Sequence, residues 1–186
     1  MATRFNILGG LPANGPMAVP FPGDGKHAHR EGLVVQFEPY NKDPWIGNFQ
    51  RGSYSLDIAI LHPDKQHVVV IAGGNGYVVD PDIPTTVERM RGYVTYLEAL
   101  PHLDAVLFGN DLSFEAWKAS GPWWSSKRIA WDGMRALNIQ GDELIGEAYS
   151  PVDDHWHPFK LDLLTGTCNT STYESQVART IPIEQP

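Results

Sequence analysis

The sequence has almost no cysteine, no run of basic residues and no long apolar stretch. Cys168 is the only cysteine among 186 residues, so no disulfide can form within the chain, which suits a reducing compartment. The formal net charge is −8, which argues against nucleic acid or an anionic membrane as a partner. The N-terminus, MATRFNILGGLPANG, lacks the apolar segment of a secretory signal, and no segment approaches the ~20 apolar residues of a membrane span. These absences predict a cytoplasmic protein.

The signatures of the common catalytic machineries are also missing. The chain contains no G-x-S-x-G, P-loop, H-E-x-x-H or G-x-G-x-x-G pattern. Cys168 lies between Thr167 and Asn169 and lacks the basic neighbours that activate a thiolate. The sequence therefore leans towards a protein that is not an enzyme.

Short apolar runs, separated by Gly, Pro, Asn and Asp, make up most of the chain. Typical runs are YSLDIAIL (54–61), HVVVIAGG (67–74) and GYVVDP (76–81), and they are rich in Val, Ile and Tyr. Such runs are typical of consecutive antiparallel strands rather than amphipathic helices. The sequence GGNG (73–76) suits a tight turn, because Gly and Asn accept positive φ angles at low cost. An all-β fold is predicted.

The order of these runs repeats along the chain. The third strand of each unit carries an apolar residue followed by an acid, and the acids are 42, 35 and 47 residues apart. These pairs are Phe37–Glu38, Val79–Asp80, Phe114–Glu115 and Leu161–Asp162. A period near 40 with four strands per unit predicts a small four-bladed β-propeller. A β-sandwich or a barrel is the alternative.

The repeat also predicts how the chain is organised. One β domain is expected over 1–186, with a tail at 174–186 and repeat units at 10–52, 53–92, 93–133 and 134–173. The N-terminal strand RFNIL (4–8) is expected to complete the last blade. The segment 85–100 is ambiguous: Thr85 and Glu88 form a capping box typical of a helix, whereas Gly92 and the run YVTY favour strand. Strand is preferred here.

One segment carries a family resemblance. The sequence HVVVIAGGNGYVVDPDIPTTVERM (67–90) resembles blades of bacterial propellers of the YVTN and quinoprotein-like kind, which often contain a strand, a Gly-Asn turn and V-x-D-P. The stretch 124–173 more loosely resembles an uncharacterised family of small bacterial proteins. The first resemblance implies a bacterial propeller fold. Neither resemblance implies an activity or site residues.

The stretch SFEAWKASGPWWSSKRIAWDG (113–133) holds four of the six tryptophans. Its Pro122–Trp123 matches the earlier Pro44–Trp45, which predicts equivalent starts of outer strands with the ring wedged between blades. Four tryptophans are therefore predicted to be structural: Trp45, Trp117, Trp123 and Trp131. Trp124 points away from its neighbour and is predicted to be the exposed, ligand-binding tryptophan.

Two histidine pairs are candidate metal ligands. An H-x-H spacing on an extended chain puts both imidazoles on one face, and the chain has two such pairs, His27 with His29 and His155 with His157. If the first and last blades meet, four imidazoles could hold zinc or a similar divalent ion. The adjacent candidates for a fourth ligand, an orienting group or a binding surface are Asp153, Asp154 and Trp156.

These observations favour a non-catalytic, cytoplasmic binding module with a protein partner or a small ligand and no cofactor. The acidic charge fits a neutralising partner of a basic protein, such as an immunity protein of a toxin system. A carbohydrate or small-molecule binder is one alternative. A metal-dependent hydrolase that uses the paired H-x-H motifs is the other.

Overall fold

Nearly all regular secondary structure in the described residues is β-strand. The computed structural model describes residues 4–23, 30–84, 87–169 and 172–173, and about half of them lie in strands, which confirms the all-β prediction. Within these ranges, no helix has the length and apolar composition needed to cross a bilayer. The strands are β1 Phe5–Leu8, β2 Val19–Phe21, β3 Leu33–Phe37, β4 Trp45–Phe49, β5 Asp57–Leu61, β6 Val68–Ala72, β7 Asn75–Val79, β8 Val87–Arg89, β9 Tyr96–Leu100, β10 Ala105–Gly109, β11 Phe114–Lys118, β12 Gly121–Ser125, β13 Met134–Gln140, β14 Glu143–Ser150 and β15 His155–Asp162.

The strands form four small sheets in chain order. Their strand orders are β1-β3-β4-β2, β5-β6-β7-β8, β12-β11-β10-β9 and β13-β14-β15. The second and third sheets are simple meanders, because every strand pairs with the next one in sequence. A bridge between Leu161 and Cys168 places the beginning of a further strand on the edge of the fourth sheet. Each described sheet is linear, with two edge strands.

The contacts divide the chain into two compact units, Met1–Thr95 and Tyr96–Pro186. In each unit two sheets share one apolar core. The core of the first unit is formed by Phe21, Leu33, Val35, Phe37, Trp45, Phe49, Val68, Val70, Ala72, Tyr77 and Val79. The core of the second unit is formed by Leu100, Ala105, Leu107, Phe114, Ala116, Ile129, Ala130, Leu144, Ala148, Phe159, Leu161 and Leu163.

The apolar runs around GGNG fold as predicted. Strands β6 and β7 pair directly across the turn, with Ala72 opposite Asn75. Gly73 and Gly74 have φ angles of 52° and 86°, a conformation that favours glycine because it has no Cβ. The turn chemistry of the sequence therefore sets the register of this hairpin.

The ambiguous segment is extended rather than helical where it is described. It contains β8 and β9, which confirms the preference for strand. The backbone N–H groups of Met90 and Val94 donate to the carbonyls of Gly76 and Gly74, and Gly92 has a φ of 75° that turns the chain between the strands. The proposed cap residue Thr85 lies outside the described residues.

The N-terminal strand does not complete the last sheet, and that prediction was wrong. It pairs with β3 of the first sheet, where Phe5 lies opposite Phe37. Arg4 fixes this end, because its guanidinium lies 2.7 Å from the Asp82 carboxylate and 3.7 Å from the Tyr40 ring centroid. The short strand β2 was not predicted. It runs parallel to β4, a pairing that no local sequence pattern indicates.

The apolar–acid repeat is only partly a structural repeat. Its apolar members are all buried: Phe37, Val79, Phe114 and Leu161. Asp80 and Asp162 both stand where a strand ends and accept the N–H of the residue two positions on. Glu115 differs, since it is the second residue of β11 and accepts the indole N–H of Trp117.

The match between Pro44–Trp45 and Pro122–Trp123 does not mark equivalent positions. Trp45 begins β4, which lies inside the first sheet, and it is buried against Phe37 at 4.4 Å between ring centroids. Trp123 is the third residue of the edge strand β12, where the ammonium of Lys118 covers its ring. The predicted equivalence was therefore wrong, although both rings pack against the protein.

Candidate functional site

Most of the predicted site residues meet at one hairpin of the second unit. Strand β14 ends at Ser150, β15 begins at His155, and Tyr149 lies directly opposite Trp156. The tight turn between them carries Asp153 and Asp154, and Asp154 has a φ of 57°. His27 and His29, the other predicted pair, lie outside the described residues.

Trp124 is not the exposed tryptophan of the prediction. It is half-buried, packs against the core of the second unit, and donates its indole N–H to the carbonyl of Leu163 at 2.9 Å. Its ring also covers Gly166, where an added Cβ would come within 2.5 Å of the indole. Trp123 packs against the same core, with its ring centroid 6.3 Å from that of Trp124, and the strand pairing shifts register here, so simple alternation did not predict which side Trp124 faces.

The two histidines of the hairpin both bond to Asp153. The Nε2 atom of His157 lies 2.8 Å from the carboxylate of Asp153, and the Nδ1 atom of His155 bonds to the Asp153 carbonyl. Slight desolvation acts to raise the pKa of Asp153, but hydrogen bonds from Ser150 and His157 outweigh it and lower that pKa. Across the described residues, no group of three or more His, Cys, Asp or Glu side chains is arranged to hold a metal ion.

The hydroxyl of Tyr149 is bonded to one carboxylate and is influenced by the charges of two more. The hydroxyl donates to Asp154 at 2.6 Å. This hydrogen bond is the main reason why the pKa of Tyr149 is raised, and slight desolvation and the negative charges of Asp154, Asp132 and Asp153 add to the effect. The carboxylates therefore make the electrostatic environment of this phenol negative.

Trp156 provides an aromatic face beside these carboxylates. Its ring centroid lies 5.3 Å from that of Tyr149. The guanidinium carbon of Arg135 lies 4.2 Å above the Trp156 ring, a cation–π contact, and Arg135 also pairs with Glu147 at 2.7 Å. We call Asp132, Tyr149, Asp153, Asp154 and Trp156 the acidic hairpin surface.

Sequence reasoning found part of this surface and missed the rest. Asp153, Asp154 and Trp156 were predicted from the DDHWH motif. Tyr149 and Arg135 were missed, because only the pairing of β13, β14 and β15 brings them to the same place. The available signal was the alternation along β14, which puts Tyr149 and Glu147 on the same face.

A second polar cluster, also missed, lies in the turn between β5 and β6 of the first unit. His62 and His67 point their Nδ1 atoms at the same Asp64 oxygen, at 3.1 and 2.6 Å. The other Asp64 oxygen accepts the backbone N–H groups of Gln66 and His67. The spacing H-x-D-x-x-H was the visible signal. Because these bonds connect neighbours within one turn, the cluster stabilises the hairpin.

The charge of Asp64 should make this hairpin sensitive to acid. Partial burial acts to raise the pKa of Asp64, but the N–H groups of His67 and Gln66, the His67 ring and the charge of His62 outweigh it and lower the pKa from 3.8 to about 2. A folded-state pKa below the unfolded value gives stabilisation that is complete above about pH 4 and is lost as pH falls through 2.

We therefore expect Asp64→Asn to lower the free energy of unfolding by about 1–2 kcal/mol at pH 7, and by less as pH falls from 4 to 2. The asparagine oxygen can still accept the two backbone N–H groups, so the variant isolates the charge. Urea unfolding at several pH values measures the effect, with the exposed Asp104→Asn as control. If the loss of unfolding free energy in Asp64→Asn stays constant across this pH range, the charge-based explanation is contradicted.

Comparison with known proteins provides no family for the chain. No protein-family model matches it, and no curated protein matches it.

Proposed function

We propose that the chain is a non-catalytic binding module whose acidic hairpin surface binds a cationic group of a basic protein partner. The observation that carries this proposal is the hairpin turn itself, where the exposed carboxylates of Asp153 and Asp154 lie beside Tyr149, which donates to Asp154 at 2.6 Å and packs next to the ring of Trp156. A guanidinium group suits both the carboxylates and the aromatic rings of this surface, because it pairs with carboxylates through two N–H groups and stacks on aromatic rings.

The chain's own Arg135 supports this choice of ligand. Its guanidinium already stacks on Trp156 and pairs with Glu147, so the surface accepts a guanidinium in one position. The carboxylates of Asp153 and Asp154 are exposed in the adjacent turn. The net charge of −8 would speed the approach of a basic partner.

The same features support the more specific proposal of an immunity-type protein in the bacterial cytoplasm. Such a protein neutralises a basic toxin by covering its cationic surface, and a basic toxin encoded beside the chain would be the expected partner. A carbohydrate-binding role has less support, since the ring of Trp124 is covered. A hydrolase role has less support as well, since no group of three or more His, Cys, Asp or Glu side chains in the described part of the chain is arranged to hold a metal ion.

An arginine-octamer peptide tests the proposed surface by isothermal titration. We expect the double variant Asp153→Asn, Asp154→Asn to weaken binding about three- to tenfold, because each exposed ion pair contributes about 0.2–1 kcal/mol. The weakening should shrink as salt is added. The matched control is Glu88→Gln, Asp104→Asn, which removes the same charge from exposed positions outside the surface. Equal weakening in both variants would mean that net charge, and not this surface, binds the peptide.

We also infer that the four sheets are the blades of a small propeller. The inference is supported by the size of the sheets and by their even spacing, since β5, β9 and β13 begin 39 and 38 residues apart. Four-stranded units at this period are typical of propeller blades. An experimental structure in which the two units do not complete one ring would contradict the inference.

A further inference from the structure

The first unit contains a cleft with a volume of about 610 Å³. It lies on the first sheet, between the segment that follows β1 and the start of β4. Its volume falls within the range of about 300–1,000 Å³ that is usual for small-molecule sites. The cleft belongs to the first unit alone, so it is independent of the acidic hairpin surface.

The walls of the cleft are apolar and stiff. Five of the residues that line it are apolar, and three of these are prolines: Leu8, Pro12, Pro16, Pro44 and Ile46. Proline has a fixed φ angle, so these walls lose little conformational entropy when a ligand binds. One wall is held in place where the backbone N–H of Leu11 donates to the carboxylate of Glu31 at 3.4 Å.

The polar lining consists of hydrogen-bond acceptors and amides. Asp43, Asn14 and Gln36 line the cleft together with the apolar walls, and none of the described residues that line it is basic. The Nε2 atom of Gln36 donates to the Glu38 carboxylate at 2.7 Å. The amide therefore offers its oxygen, a hydrogen-bond acceptor, to a ligand. Lys42 precedes Asp43, but its ammonium donates to the carbonyl of Asp82 at 2.9 Å and is not part of the lining. A lining whose one charged group is a carboxylate favours a cationic ligand and repels an anionic one.

We propose that this cleft binds a small organic amine. The apolar body of the ligand packs between the prolines, Leu8 and Ile46, and its protonated nitrogen pairs with the exposed carboxylate of Asp43. The amide oxygen of Gln36 accepts a second N–H of the same ammonium group. Apolar walls with a few polar groups that fix the orientation of the ligand are the usual composition of such sites.

Three ligands of nearly the same shape test the proposal by NMR titration of the intact chain. Benzylamine carries the positive charge, benzyl alcohol is neutral, and benzoate is negative. We expect benzylamine to bind most tightly and to shift the amide signals of Leu8, Gln36 and Ile46. Benzyl alcohol should shift the same signals with weaker affinity, and benzoate should shift them least.

The variant Asp43→Asn should weaken benzylamine binding about fivefold, to the level of benzyl alcohol, and leave benzyl alcohol unchanged. Glu88→Gln is the control, since it removes one exposed charge from the same unit outside the cleft. The NMR spectrum itself reports whether each variant is folded. The proposal is overturned if benzoate binds as well as benzylamine, if the shifts lie elsewhere, or if Asp43→Asn has no effect on benzylamine.

Discussion

Replacing Phe114 with alanine is expected to lower the free energy of unfolding by about 3–5 kcal/mol. The ring is 2% exposed and lies within the core of the second unit. It contacts Tyr96 edge-on, with the ring centroids 6.0 Å apart, and lies 6.2 Å from Phe159 of the fourth sheet. Alanine would remove these contacts and leave a cavity between two sheets that their remaining side chains cannot fill.

Denaturant unfolding of the purified chain measures this loss. Leu164→Ala is a suitable control, because Leu164 is apolar but 45% exposed in the same unit, and it should change stability by less than about 0.5 kcal/mol. The loss of unfolding free energy for Phe114→Leu should lie between those for Phe114→Ala and Leu164→Ala, since leucine fills part of the cavity. A loss below about 1 kcal/mol for Phe114→Ala would show that the ring is not a core element.

A single added methyl group at Gly32 should also be strongly destabilising. A Cβ at this position would collide with the carbonyl group of Phe49, which is backbone and cannot rotate away. The N–H of Gly32 also donates to the buried side chain of Asn48 at 2.7 Å, so moving the chain would break a buried hydrogen bond. We expect Gly32→Ala to lower the free energy of unfolding by about 3 kcal/mol.

Gly9→Ala is the matched control for this prediction. An added Cβ at Gly9 meets nothing within 4 Å, so the same change in composition should leave stability within about 0.5 kcal/mol. Thermal unfolding of the two variants in parallel separates the steric effect from the change in unfolded-state entropy. Similar midpoints for Gly32→Ala and Gly9→Ala would contradict the close approach of Gly32 to β4.

Local structure could be predicted where neighbouring residues determine it. The apolar runs of β6 and β7 and the turn of Gly73 and Gly74 were predicted correctly, because hairpin register follows from turn chemistry and alternation. Alternation along β11 likewise puts Phe114 and Ala116 on one face, and both are buried. These features need only residues a few positions apart.

Pairing between distant segments could not be predicted. The repeat pattern suggested that β1 joins the last sheet, but it pairs with β3, and the parallel pairing of β2 with β4 left no local signal. Strands pair in the arrangement that buries their apolar faces. Judged from the sequence alone, several different pairings would bury these faces equally well.

In the candidate site, too, local features could be predicted from the sequence and contacts between distant segments could not. The spacing of Asp153, His155 and His157 was visible in the sequence, and these residues do lie together. The sequence could not show that Trp124 would pack over Gly166, or that Arg135 would reach Trp156 from another strand. Exposure depends on what the rest of the chain leaves uncovered, so it could not be read from alternation alone.

The strand order of the first sheet affects when it can form during synthesis. In the second and third sheets each new strand finds its partner immediately before it in the chain, so these hairpins can form while the polypeptide leaves the ribosome. The first sheet has the order β1-β3-β4-β2, so β1 has no partner until β3 has been made, and β2 must wait for β4. The first sheet therefore depends on loop closure over a long stretch, which slows folding. Until Phe49 has emerged, the first two strands have unpaired edges that chaperones or other nascent chains can reach.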